Sequence, residues 1–227
     1  MSETLEIVVV RHGESKANAE ARMQGRFDSP LNDRGRAQAH IVGRWFASQG
    51  ILWDMAFCSP LLRASETAQI ITHAACGSPP RVDPDLAEVA AGKLEGLNAE
   101  QIAERFPSYA ARKLEELGDF AEYGGESYAD IQARADRVIS RVSALSGRVL
   151  LVAHGGFNFH LVKRLICLPV PRVCVLRMDN CSATMLRLRE RRGMRIGEVV
   201  WHVPLELMGS PVESRPAPAP APGSALP

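Results

Sequence analysis

Apolar and polar positions along the chain alternate between two patterns. Residues 5–10 (LEIVVV) and 148–153 (RVLLVA) are short aliphatic runs that predict strands. Residues 55–58, 173–178, 183–188 and 198–203 predict further strands. Between them lie segments of helical period. Residues 34–49 predict a helix that stops at Gly50. Ser59 is placed as an N-cap, with Pro60 at the first helical position of a helix running to about residue 75. Residues 98–106 predict a helix ending at Pro107, and 108–117 another with Leu117-Gly118 as its stop. Ser127-x-x-Asp130 has capping-box spacing and opens a helix whose apolar residues are Ile131, Ala135, Val138, Val142 and Leu145. Residues 157–167 predict the last helix. The alternation implies an α/β fold of three layers, α/β/α, around a mostly parallel sheet.

The 227 residues suit one domain over 1–209. From Ser210 onward the chain reads SPVESRPAPAPAPGSALP, an alternation of Ala and Pro that cannot build a core and predicts a disordered, extended tail over 210–227. Charge is nearly balanced, 27 Lys plus Arg against 26 Asp plus Glu, which argues against a nucleic-acid partner. No apolar run approaches the roughly 20 residues of a membrane span, and Glu3 and Glu6 stand where a secretory leader would not carry them. The five cysteines include no CxxC pair, so reduced thiols in a cytoplasmic protein are expected, and no His or Cys pair sits at metal-ligand spacing. The oligomeric state is open, a dimer included.

Candidate chemistry sits at two strand ends. Arg11-His12-Gly13 follows the first run and His154-Gly155-Gly156 follows the run at 148–153. In open α/β sheets ligands bind at the carboxyl ends of strands, so both histidines are expected in one crevice. Arg63 falls in the first turns of the helix after Ser59, where a helix start and a guanidinium both favour anions. One unit charge pair at about 4 Å is worth roughly 4 kcal/mol at an effective dielectric near 20. Two arginines and two histidines therefore describe a site for a compact dianion such as a phosphoryl group.

The ordered blocks RHGES at 11–15, QGRFDSPLNDRGRAQA at 24–39, SPLLRASETA at 59–68, LAEVAAGKLEG at 86–96, GGES at 124–127 and AHGG at 153–156 resemble the histidine phosphatase superfamily, whose fold is phosphoglycerate mutase-like. The resemblance covers roughly residues 5–203. It implies that His12 is the nucleophile that becomes phosphohistidine, that Arg11, Arg63, His154 and Asn18 hold the phosphoryl oxygens, and that Glu88 is the proton donor. Residue types alone leave Asp83, Asp85 and Glu95 beside Glu88. Glu14 is expected to act as local support. The other histidines, His160 among them, are expected in packing or surface roles.

The mutases carry longer insertions after the acid-bearing stretch, and a Trp where this chain has Ala17. Both departures point to hydrolysis; the expected substrate is a small phosphorylated metabolite, and because the arginines supply positive charge no metal or cofactor is expected. Mutase-type transfer and a non-catalytic phospholigand sensor are the alternatives. A small helical lid is expected at about 104–125, with Arg105, Tyr109, Arg112, Lys113 and Tyr123 as candidate substrate contacts.

Overall fold

The computed structural model describes residues 4–112, 118–166, 177–191 and 194–209. In chain order the strands and α-helices are β1 (Leu5–Arg11), α1 (Lys16–Ala19), α2 (Asp33–Ser48), β2 (Met55–Cys58), α3 (Leu62–Ala74), β3 (Arg81–Val82), α4 (Ala99–Arg105), α5 (Pro107–Ala110), α6 (Tyr128–Ser143), β4 (Gly147–Ala153), α7 (Gly155–Leu165), β5 (Ala183–Arg191), β6 (Met194–Val203) and α8 (Leu205–Met208). The six strands form one sheet in the order β3-β2-β4-β1-β5-β6. The pairs β1/β4, β4/β2 and β2/β3 are parallel. Strand β5 runs antiparallel to β1, and β6 antiparallel to β5. Strands β5 and β6 are separated by two residues, a connection too short for the crossover that parallel pairing needs.

Successive side chains of a strand point to opposite faces, so a strand covered on both sides must be apolar throughout. Ile7 and Val9 of β1, with Val149 and Leu151 of β4, pack on one face against Ile131, Ala135 and Val138 of α6 and Leu161 of α7. Val8 and Val10, with Leu150 and Val152, pack on the other against Val42 and Phe46 of α2 and Ala68 and Ile71 of α3. This is the expected three-layer arrangement, with an antiparallel margin. The Ser127–Asp130 capping box opens α6 as the spacing predicts, each partner bonding the other's main chain.

Several boundaries differ from expectation. Ser59 does not cap a helix that begins with Pro60: α3 starts at Leu62, with Leu61 as its cap. The Leu62 N–H is instead taken by the Asp28 carboxylate at 2.9 Å, so the helix start proposed for anion binding already holds one. Pro107 opens the single turn α5 rather than closing helical structure. Of the strand expected at 173–178, residues 173–176 lie outside the described residues, and Arg177 and Met178 are in no strand. The tail at 210–227 and residues 113–117 of the expected lid also lie outside them. Among the described residues no helix is long and apolar enough to cross a membrane.

Candidate active site

Register brings the site together. Val10 lies opposite Val152 and Arg11 opposite Ala153, while Cys58 of β2 also lies opposite Val152. The three strands end at one level, so Arg11-His12, Ser59 and His154 emerge side by side. Main-chain bonds fix this: His12 N–H donates to the Ala153 carbonyl at 3.0 Å, and Ser59 N–H to the Val152 carbonyl at 3.0 Å.

His12 is 2% exposed. Its Nδ1 lies 2.7 Å from the Gly13 carbonyl, and its Nε2 lies 3.2 Å from Nε of Arg63. A carbonyl only accepts and a guanidinium only donates, so the proton sits on Nδ1 and Nε2 carries a lone pair. Burial first, then the charges of Arg11 and Arg63, hold the imidazole well below its usual pKa. The acceptor that sets the tautomer is thus the carbonyl of the adjacent residue.

Arg63 is fully buried, its other nitrogens donating to the main-chain oxygens of Phe27 (3.0 Å) and Gly25 (2.8 Å). Thr67, one turn on, accepts the Gly13 N–H at 3.0 Å and donates to the Arg63 carbonyl at 2.6 Å, which ties the His12 loop to α3. Arg11 donates to the Met178 carbonyl at 2.7 Å, but its Nε is buried without a partner. Among the described residues neither arginine has a carboxylate within ion-pairing distance. Burial lowers the pKa of both guanidiniums.

Asn18 closes one side. Its Oδ1 accepts from Ser15 N–H at 3.2 Å and from Asn180 Nδ2 at 3.3 Å, so its amide N–H groups are left for the cavity. Asn180 also donates to the His12 carbonyl at 2.9 Å. Sequence reasoning missed Asn180, because its value lies wholly in contacts spanning more than 160 residues.

Glu88 sits at the other side. It accepts from Phe157 N–H at 2.8 Å and Gly156 N–H at 3.2 Å, at the start of α7, and from its neighbour Val89 N–H at 2.9 Å. Among the carboxylates considered, Glu88 is the one on the cavity wall. Asp83 and Asp85 face away and pair with Arg137 and Arg141, and Glu95 accepts main-chain N–H groups of Arg26 and Ala91. The two glycines after His154 each make room for one of these groups. A Cβ on Gly155 would come 3.3 Å from Arg11 Nε, and one on Gly156 would come 2.8 Å from Glu88 Oε1.

Arg11, His12, Asn18, Arg63 and Glu88 all line a cavity of about 280 Å³. His154 does not. It lies fully buried behind His12, ring centroids 5.0 Å apart, with Nε2 2.7 Å from Ser59 Oγ and Nδ1 unpartnered. Ser59 Oγ also accepts the Leu61 N–H at 3.2 Å. Glu14 accepts from Asn32 and Arg34 away from the cavity, a supporting role as expected.

Of the candidate lid contacts, Tyr109 and Tyr123 are buried in the core, and Arg112 packs against both rings. Arg105 is exposed, and Lys113 lies outside the described residues. That region reaches the cavity through Gly118 and Phe120 instead. His160, expected in an ordinary packing role, is in the cavity wall too. The signal was present: Gly156 and His160 are four apart on α7 and so share a face.

A strand-end histidine beside two guanidiniums that, among the described residues, pair with no carboxylate has the chemistry of a phosphoryl-binding cradle. Residues 7–199 match the family model of the histidine phosphatase superfamily, branch 1, and the chain belongs to that superfamily. A probable phosphoglycerate mutase GpmB of Salmonella paratyphi A is 34% identical over 198 residues, 86% of this chain and 91% of that protein. Among solved structures, a mycobacterial glucosyl-3-phosphoglycerate phosphatase complexed with VO3 superposes with a TM-score of 0.74 at 29% identity, covering 86% of this chain and 98% of the other. YhfR of Bacillus stearothermophilus gives 0.72 at 28% identity, covering 86% and 95%. The chain is a phosphoryl-transfer enzyme by family.

Proposed function

We propose that the protein is a phosphomonoesterase that hydrolyses a small phosphorylated metabolite through a phosphohistidine on His12. The observation that carries this reading is the pair of dehydrated guanidiniums, Arg11 and Arg63, beside a neutral imidazole and, among the described residues, without a carboxylate at ion-pairing distance. Buried charge is costly unless paired, and a phosphoryl dianion is the partner that fits.

In this mechanism Nε2 of His12 attacks phosphorus in line with the leaving oxygen. The Arg63 Nε–H that rests on Nε2 passes to a phosphoryl oxygen as the N–P bond forms. Arg11 and the Asn18 amide take the remaining oxygens. The bond from Nδ1–H to the Gly13 carbonyl steadies the positive charge growing on the ring. Glu88 donates its proton to the leaving alkoxide, then removes one from the water that attacks the phosphohistidine. Two guanidiniums supply the positive charge, so the route requires no metal.

The test is hydrolysis of p-nitrophenyl phosphate with EDTA present, together with rapid alkaline quenching of a turnover on a radiolabelled phosphomonoester. Label in a base-stable, acid-labile bond that vanishes in His12→Ala is the expected result. An active His12→Ala enzyme overturns the reading. The mutase-named relative gives the alternative its support; transfer of label to a second hydroxyl of phosphoglycerate, in place of release as phosphate, is its signature.

A further inference from the structure

Beyond the phosphoryl cradle, the cavity is walled by Met23, Val89, Phe120, Gly118 and His160. His160 is 6% exposed, yet among the described residues neither of its ring nitrogens has a hydrogen-bond partner. Its Nδ1 is enclosed, while Nε2 lies on the side of Gly118, 3.9 Å from where a Cβ on that residue would stand. A buried imidazole with an unused face is costly unless something binds it. The ring is held in place by Tyr128 and Phe159, with centroids at 5.7 and 5.4 Å.

We propose that His160 selects the alcohol half of the substrate: its Nε2 hydrogen-bonds a hydroxyl of an uncharged, sugar-like leaving group that rests against Phe120 and Met23. The proposal rests on the phosphatase reading above and names its substrate class. Two observations favour an uncharged group. The imidazole is neutral, its pKa pushed down to about 4 by burial and then by the charges of Lys163 and Arg134, with Glu126 opposing. It therefore offers a dipole and not a cation. Arg22, the cation lining that end, is already engaged by Glu20 at 2.6 Å and by the Gly96 carbonyl at 2.8 Å. An apolar wall with a few placed polar groups is the usual make-up of a small-molecule pocket, and the polar groups fix the ligand's orientation.

The experiment compares kcat/KM for glucose 6-phosphate, 3-phosphoglycerate and p-nitrophenyl phosphate in the wild-type chain, His160→Ala and His160→Gln. The wild type is expected to prefer the sugar phosphate to phosphoglycerate. In His160→Ala the ratio of sugar phosphate to p-nitrophenyl phosphate falls about tenfold, mainly through KM, as expected for one lost hydrogen bond. Gln, which can also donate, recovers part of the ratio. Preference for phosphoglycerate, a ratio that does not move, or equal losses on both substrates overturns the proposal. If the wild-type chain hydrolyses p-nitrophenyl phosphate, such failures count against His160 alone. If it hydrolyses nothing, the phosphatase reading falls and this proposal with it.

Discussion

Replacing Arg134 by Met should unseat Glu88 without touching it. Arg134 is 4% exposed in α6, and its guanidinium forms a bidentate pair with Glu126 at 2.9 and 2.8 Å. The same group donates to the carbonyls of Asp85, Ala87 and Glu88, and it lies 4.3 Å from the centre of the Phe157 ring. One cation thus holds the main chain on both sides of the proposed acid. Removing one member of a buried pair costs about 3–5 kcal/mol, because the other charge is stranded. Here Glu126 keeps the Ala90 N–H at 2.8 Å and a long contact to Arg26 at 3.5 Å, which places the loss near the lower end, about 3 kcal/mol. That is a large part of a typical domain's 5–15 kcal/mol, but it leaves most molecules folded.

Urea denaturation followed by tryptophan fluorescence measures the loss, and steady-state kinetics on the same samples measures the consequence. A shift of about 1 Å in a catalytic group costs up to about a hundredfold, so kcat should fall roughly 10- to 100-fold while KM changes less. Arg137→Ala is the control. Its side chain is 56% exposed and bonds Asp85 at 2.7 Å, so it should cost under about 1 kcal/mol. If Arg134→Met stays within about 1 kcal/mol of the parent with its kcat intact, or matches the control, the reasoning from buried pairing is wrong.

Two further outcomes are expected. Glu88→Gln should lower kcat by about 10²–10⁴ on an alkyl phosphate, whose leaving group needs a proton, and by much less on p-nitrophenyl phosphate; equal losses on the two would refute Glu88 as the acid. Stability should fall on acidification, since burial lowers the pKa of His12, His154 and His160 in the folded chain. Below the unfolded value near 6.5 the unfolded chain binds more protons, so stability is present above that pH and drains away beneath it. For His160, with a folded value of about 4, the loss between those limits is on the order of 3 kcal/mol; a melting temperature that holds or rises from pH 7 to pH 5 would contradict this.

Much of this was legible in the sequence because it is local. Runs such as IVVV at 7–10 and VLLV at 149–152 must be strands buried on both faces, and Ser127 with Asp130 announces α6 from four residues of text. The edge strand β3 left no trace, since its two residues are both exposed and carry no alternation. Ser59 looked like a cap because Ser-Pro often opens a helix; its hydroxyl is spent on His154, 95 residues away. Asn180 was invisible for the same reason. Its significance depends on which elements the fold places opposite it, and no window of sequence contains that.

Gly25 and Phe27 secure Arg63 through backbone oxygens, groups that every residue type possesses. Gly25 has no room for a side chain, but drift at the exposed Phe27 can change that loop's surface while the cationic anchor stays put. A lineage built this way can trade one metabolite for another by changes at the mouth, with the bond-breaking apparatus carried through unaltered.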